Sequence, residues 1–238
     1  MLSIILPSYN GSNTLKKQLP LFISYLNSTS IRYELVIVDD GSDDHQATQE
    51  LANLYHCRFV RLPHNSGKGA AVKAGILAAT GSEILFTDAD IPFAYENYIQ
   101  FYRAICSQQN AMVVGDRHHP QSNYFSETTP LRKLVSYCFS LFVKSVAGLH
   151  DTQCGLKGFS RNTALTIFKD ITVNGFAFDV ELFLLAAKNN FEVKRLPVQL
   201  RSQQDSSVKV VGHGLEMMYD LIKIKGKQLR GKYTHKTN

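Results

Sequence analysis

Two aspartates separated by one residue, Asp88 and Asp90, follow the apolar run Ile84-Leu85-Phe86-Thr87. In extended backbone, residues i and i+2 point to the same side. The pair is therefore expected to form a hard oxygen site for Mg²⁺ or Mn²⁺, ions that keep several waters and share oxygens of a substrate diphosphate. A second acidic pair, Asp39-Asp40, precedes Gly41-Ser42 and follows the apolar run Glu34–Val38. A carboxylate there is suited to accepting hydrogen bonds from ribose hydroxyls or a base N–H, while Ser42 or Asp43 is expected to cap the helix that follows. Tyr9, in Pro7-Ser8-Tyr9-Asn10, offers a flat ring on which a base could stack. Lys68 sits in the glycine-rich stretch His64-Asn65-Ser66-Gly67-Lys68-Gly69, and Arg117 follows Gly115-Asp116.

An Asp-x-Asp pair by itself recurs in many surface loops, so its weight depends on the elements that carry it. Leu2–Leu6, Glu34–Val38, Arg58–Leu62, Glu83–Phe86 and Ala111–Val114 are short apolar runs of strand length. Helix-length amphipathic segments lie between them, around residues 14–26, 44–55, 68–79 and 94–107. Alternating strands and helices predict an α/β fold with a mostly parallel central sheet flanked by helices. Ligands of such sheets bind beyond the carboxyl ends of the strands, and each polar or acidic group named above follows a strand. The segment 67–75 does not complete GxGxxG, and GxxxxGK[ST] and GxSxG occur nowhere in the chain. Hydride-transfer dinucleotide enzymes, P-loop NTPases and nucleophile-elbow hydrolases are disfavoured accordingly.

The 238 residues, 44% hydrophobic and 19% charged, suit one large globular domain. The four cysteines form no CxxC pair or Cys/His cluster, which fits a reducing, cytoplasmic setting rather than a disulfide scaffold or zinc site. The amino-terminal residues are not read as a secretory signal, and no run reaches the ~18–20 apolar residues that span a bilayer. Leu134 to Leu149 comes nearest, interrupted by Ser136, Ser140, Lys144 and Ser145. The formal charge of +6 is concentrated at one end: residues 221–238 hold six of the 26 basic residues and no acid, leaving 20 basic against 20 acidic residues in the rest. A neutral body with a cationic end argues against a nucleic-acid groove and suits attraction to anionic lipid.

Taken together, Pro7-x-Tyr9-Asn10, Val38-Asp39-Asp40-Gly41-Ser42, Asn65-x-Gly67-Lys68-Gly69-Ala70-Ala71 and Asp88-x-Asp90 resemble glycosyltransferase family 2, with its GT-A fold. Asp151-Thr152-Gln153-Cys154-Gly155-Leu156-Lys157 and Gly175-Phe176-Ala177-Phe178-Asp179-Val180-Glu181-Leu182 are similar to its dolichyl- and polyprenyl-phosphate hexosyltransferase branch, nearest to the dolichyl-phosphate β-glucosyltransferases. The resemblance implies a GT-A domain over residues 1–226 with a basic tail over 227–238, a nucleotide-sugar donor and inversion at the anomeric carbon. Pro7, Tyr9 and Asp40 would hold base and ribose with Asp39 in support. Asp88 would reach the ribose or the metal, Asp90 would bind the metal, and Lys68 would lie near the nucleotide.

Arg117 matches a GxR element of that branch, and Arg132 with Ser136 matches an RxxxS element that grips the acceptor phosphate. Planar guanidinium forks suit phosphate oxygens. The segment Leu134 to Leu149 would lie at the membrane interface or, alternatively, be a buried core helix. Asp179 matches the position assigned to the catalytic base, with Glu181 second. A phosphate monoester, with a second pKa near ~6, is already mostly a dianion at neutral pH and hardly needs a base; a sugar hydroxyl would need one. On a helix the two carboxylates are about 200° apart and cannot serve one reacting atom. The resemblance implies that Lys209 lies on a loop that closes over the diphosphate; the alternative is a mobile surface loop. Pro92 stands where mannosyl-transferring relatives have Gln, which favours the glucosyl-type branch.

The expectation is an enzyme that transfers a hexose, glucose from UDP-glucose, to a polyprenyl or dolichyl phosphate. It would be peripheral on the cytoplasmic membrane face, with a membrane-protein partner or a homodimer left open. Two alternatives stand: a soluble family 2 enzyme acting on a sugar hydroxyl in surface-polysaccharide synthesis, and a non-catalytic nucleotide-sugar-binding protein.

Overall fold

The computed structural model describes residues 1–108, 110–123, 152–201 and 210–233. In the first half, strands and helices alternate as the apolar periodicity predicts: β1 (Leu2–Ser8), α1 (Ser12–Asn27), β2 (Tyr33–Asp39), α2 (His45–Leu54), β3 (Arg58–Arg61), α3 (Lys68–Ala78), β4 (Glu83–Phe86), α4 (Tyr95–Ser107) and β5 (Ala111–Asp116). The second half supplies β6 (Lys157–Ser160), α5 (Arg161–Asp170), α6 (Phe178–Lys188), β7 (Glu192–Pro197) and α7 (Val210–Leu229). The strands form one seven-stranded sheet in the order β3-β2-β1-β4-β6-β5-β7. Every pairing is parallel except those of β6, which runs against both β4 and β5.

Strand alternation explains the two layers that cover the sheet. Leu2, Ile4 and Leu6 of β1 and Leu85 of β4 are buried on one face with Leu15, Leu19 and Phe22 of α1 and Tyr98, Phe101 and Ile105 of α4. Ile5, Ile84 and Phe86 point the other way, toward Val72 and Ile76 of α3, Phe168 of α5, Phe178 and Leu182 of α6, and Leu221 and Ile224 of α7. Phe86, Phe159, Phe168 and Phe178 form an aromatic cluster beneath the carboxyl end of β4, with ring centroids 5.9–6.5 Å apart. Each such buried ring contributes about 1.5–3 kcal/mol, and together they make a stiff floor for the residues above them.

The antiparallel β6 matters for the site. Its partners β4 and β5 end at the edge where β1 and β2 also end, so β6 starts there. Register places Lys157, the first residue of β6, opposite Phe86, the last of β4. The basic segment from residue 227, expected as a tail, begins inside α7, and Tyr233 beyond it is buried among the core residues.

Candidate active site

The carboxyl ends of β1, β2 and β4 bring three polar segments together. Asp40, just past β2, accepts hydrogen bonds from the backbone N–H of Ser66 at 2.8 Å and of Gly67 at 2.9 Å, so its carboxylate ties the glycine-rich loop to the sheet. Burial raises its pKa against the opposing pull of those two donors. The close approach needs glycine at position 41, where φ is +69° and a Cβ would lie 2.3 Å from the His64 carbonyl carbon. Asp39 is fully buried; its Oδ2 accepts from Ser42 N–H at 3.2 Å and lies 3.5 Å from Arg61 Nε. Its Oδ1 is buried with no hydrogen-bond partner. Asp40 therefore holds the loop, and Asp39 carries the unsatisfied acceptor. Pro7 lies in β1 opposite Val38, and the Tyr9 ring is half exposed at the mouth.

Neither Ser42 nor Asp43 caps α2, whose cap residue is Asp44 without a side-chain cap bond. Ser42 Oγ accepts from Asn10 N–H at 2.9 Å, and Asp44 Oδ2 accepts from Ser12 N–H at 2.9 Å. These side chains join the loop after β2 to the loop after β1, because the neighbouring turn competes for them more effectively than the helix end.

Asp88 and Asp90 leave the strand before they act. β4 ends at Phe86, and a turn closed by Ile91 N–H to the Asp88 carbonyl at 2.9 Å, with Ile91 at φ 46°, aims the two carboxylates in place of strand alternation. Asp88 Oδ1 is 2.5 Å from Lys68 Nζ at the start of α3. Asp90 has a buried Oδ1 without a hydrogen-bond partner. Burial, reinforced by the Asp88 charge, raises Asp90 to about 6. Gly155 lies against this pair: a Cβ there would come within 2.3 Å of Asp88 Oδ2.

On the other side of Lys68, Asp179 of α6 is buried and paired at 2.8 Å with Lys157 Nζ, which also donates to the Cys154 carbonyl at 2.6 Å. Lys157 is fully buried, its ammonium 5.4 Å from the centre of the Phe86 ring. Burial raises the Asp179 pKa against the Lys157 and Lys68 ammonium charges, whereas Lys68 is raised because the Asp88, Asp179 and Asp90 carboxylates outweigh its own burial. The charges of Asp88, Asp90 and Asp179 thus all act on the Lys68 ammonium, with Asp88 in direct contact.

A divalent cation fits the Asp88–Asp90 edge. The donors are hard carboxylate oxygens, one of them buried without a partner. Among the described residues no cluster of three or more His, Cys, Asp or Glu could hold a metal, so these two carboxylates are the donors the described residues offer. Such a site suits an ion that shares a diphosphate and water.

Glu181 does not join this cluster. It is fully buried on a different side of α6 and accepts from Thr172 N–H at 2.8 Å, Thr172 Oγ1 at 2.6 Å, Val173 N–H at 2.8 Å and Tyr233 OH at 2.7 Å. Those donors outweigh burial and lower its pKa, and with its oxygens so engaged it has no part as a base. Arg117 lies just beyond β5 at the same sheet edge. Arg132, Ser136, Lys209 and the segment Leu134 to Leu149 lie outside the described residues.

Three residues without an assigned role enter the site here: Lys157, Gly155 and Arg201. Arg201 follows β7 and stacks on Tyr95 at 4.3 Å, donates to Tyr95 OH, Gln18 Oε1 and the Ile91 carbonyl, and adds positive charge near Asp90. A lysine within the run Cys154-Gly155-Leu156-Lys157-Gly158-Phe159 was a legible signal, since a buried ammonium requires a carboxylate.

The Glycosyl transferase family 2 profile matches residues 3–168. The chain belongs to this family. The transferase is 33% identical over 248 residues to a dolichyl-phosphate β-glucosyltransferase of Dictyostelium discoideum, covering 97% of this chain and 75% of that protein. It is 30% identical over 249 residues to the human dolichyl-phosphate β-glucosyltransferase, covering 97% and 76%. Among solved structures, glucosyl-3-phosphoglycerate synthase of Mycobacterium tuberculosis with UDP superposes on the transferase with a TM-score of 0.71 at 17% identity, over 95% of this chain and 80% of that one. The same synthase with Mn²⁺, UDP-glucose and phosphoglyceric acid gives a TM-score of 0.69 at 16% identity, over 95% and 80%. At such identities the likeness establishes the GT-A type fold of the transferase.

Proposed function

We propose that this transferase moves glucose from UDP-glucose to a dolichyl or other polyprenyl phosphate, with inversion at the anomeric carbon. The observation that carries the reading is the convergence of Asp88, Asp90 and Lys68 with Asp39, Asp40 and Tyr9 at one end of the sheet. The likeness of nearly the whole chain to dolichyl-phosphate β-glucosyltransferases supports the acceptor class.

Tyr9 stacks the base. Asp39 supplies an acceptor for base or ribose, with Pro7 shaping that wall and Asp40 holding the loop that carries Lys68. Asp88 and Asp90 would hold Mg²⁺ or Mn²⁺. That ion, when bound, supplies Lewis-acid stabilisation of the departing diphosphate. Arg117, with Arg132 and Ser136, orients the acceptor phosphate so that its oxygen attacks the anomeric carbon from the side opposite the diphosphate. That oxygen is already deprotonated near neutral pH. Asp179, fixed by Lys157, therefore orients acceptor and sugar rather than removing a proton. Lys209 is assigned to closure over the diphosphate.

Peripheral contact with a membrane on the side that holds the nucleotide-sugar pool completes the reading. No helix among the described residues is long and apolar enough to cross a membrane. On α7, Leu221 and Ile224 face the core, while Met218, Tyr219, Ile222 and Leu229 are 41%, 61%, 61% and 78% exposed. At about 100° per residue these four share an arc of about 100°, with Lys225 on one flank and Lys223 and Arg230 on the other. An apolar stripe edged by cations suits an anionic lipid surface.

The test is transfer of radiolabelled glucose from UDP-glucose to polyprenyl phosphate. The expected product extracts into organic solvent, is labile to mild acid, and disappears with Asp90→Ala while the fold is retained. A purely aqueous product would instead support a sugar-hydroxyl acceptor. Binding without turnover would support a nucleotide-sugar-binding protein.

A further inference from the structure

The two lysines of the site differ in a way that assigns them different tasks. Lys157 is fully buried between the Cys154 carbonyl and Asp179 and is part of the floor. Lys68 is 18% exposed in its side chain, pairs with Asp88 among the described residues, and extends from the first turn of α3 on a flexible stem. Its ammonium lies 2.5 Å from Asp88 Oδ1, so it holds a carboxylate oxygen that a cation shared by Asp88 and Asp90 would use. The local charges are balanced as they stand: three carboxylates, Asp88, Asp90 and Asp179, face Lys68, Lys157 and, beside Asp90, Arg201.

A divalent ion entering alone would make this group strongly cationic and would have to expel Lys68 from Asp88. A nucleotide diphosphate entering alone would make it strongly anionic. Entering together, a divalent ion and the doubly charged diphosphate of a nucleotide sugar leave the balance unchanged, and the diphosphate gives Lys68 a new partner at the start of α3, where a helix amino end already favours phosphate.

We propose that Lys68 is a place-holding cation that keeps the divalent ion from binding firmly to Asp88 and Asp90 until the donor diphosphate draws it away, so that metal and donor bind with strong positive coupling carried by this one side chain. The proposal rests on the reading of this edge as the donor site. Coupling of this kind is reciprocal and typically amounts to about 5–150-fold. It identifies Lys68 as a positioning residue for the metal as well as a donor contact, and it has the unusual consequence that removing it strengthens one ligand while weakening the other.

The test measures free Mn²⁺ by its electron paramagnetic resonance signal, with purified full-length protein titrated in the absence and presence of UDP. Circular dichroism and thermal melting verify the fold of each variant. In the wild type, Mn²⁺ alone is expected to bind weakly, and UDP to tighten it by several tens of fold, within about the range given above. In Lys68→Met, Mn²⁺ alone should bind roughly tenfold more tightly, UDP more weakly, and the tightening by UDP should shrink to a few fold at most. Lys68→Arg, which keeps the charge, should retain most of the coupling. If Lys68→Met binds Mn²⁺ alone no better than wild type, or UDP tightens Mn²⁺ equally in both, the role of Lys68 is overturned and the donor-site reading stands. If folded wild type binds neither Mn²⁺ nor UDP in any combination, both fall together.

Discussion

Replacing Lys157 by Met tests how far the site depends on its buried ion pair. The Lys157 ammonium is fully buried and the Asp179 carboxylate nearly so, 2.8 Å apart. Methionine fills a similar volume and keeps contact with the Phe86 ring, so loss of packing is small. What remains is a buried carboxylate deprived of its cation, a change that costs about 3–5 kcal/mol out of the roughly 5–15 kcal/mol that hold a domain together. Urea unfolding at pH 8 should show the midpoint falling by about 1–2 M, taking a slope of about 2–3 kcal/mol/M. The double variant Lys157→Met/Asp179→Leu should be no less stable than the single one, because the orphaned charge has gone, which gives a coupling of at least about 2 kcal/mol.

The pH dependence has a definite sign. Without Lys157, the folded-state pKa of Asp179, already raised by burial, rises further above its unfolded value. The folded protein then binds the extra proton, so stability is greatest at low pH and falls as pH rises through the folded pKa. The deficit of Lys157→Met against wild type should therefore be smaller at pH 5 than at pH 8. A Lys157→Met protein within about 0.5 kcal/mol of wild type at pH 8 would refute the reasoning, because losses that small are typical of surface substitutions.

Other consequences follow from the same geometry. Burial raises Asp90 to about 6, so above that pH its charge weighs against the metal-free fold. Asp90→Asn should raise the melting temperature in chelator by about 4–12 °C at pH 8, the equivalent of about 2–3 kcal/mol, and by nothing near pH 4, while transfer is lost. Gly155→Ala should push Asp88 Oδ2 aside, since the added Cβ would otherwise lie 2.3 Å from it; transfer is expected to fall at least about tenfold with the melting temperature within a few degrees of wild type, as misplacement of a reacting group predicts. Ile222→Glu with Leu229→Glu should abolish co-sedimentation with anionic phospholipid vesicles while leaving transfer to a short-chain, water-soluble polyprenyl phosphate within about twofold, because each buried apolar group lost weakens interfacial binding and both side chains point outward, 61% and 78% exposed. Unchanged sedimentation would remove α7 from the membrane contact.

Much of this protein was determined by local patterning. Apolar runs at Leu2, Glu34, Arg58, Glu83 and Ala111 became strands because short apolar runs bounded by turn formers bury best between helical layers, β3 being the short, partly exposed edge. Parallel order then obliged Tyr9, Asp39, Asp40, Asp88 and Asp90 to share one edge. The Glu181 side chain was separable from Asp179 on helix geometry alone. Tertiary structure decided what depends on pairing across long stretches of chain. The reversed β6 inserts between β4 and β5 and brings Lys157 against Phe86 and Asp179, a juxtaposition that no period of 2 or 3.6 encodes. The turn at Ile91, rather than the strand, aims the aspartates; Asp40 closes on a loop 26 residues away; and the outward stripe of α7 exists only because Leu221 and Ile224 have chosen the core. Local sequence sets which groups are available at an edge, and the packing of distant segments sets which of them meet, because charge pairing and desolvation act through space and not along the chain.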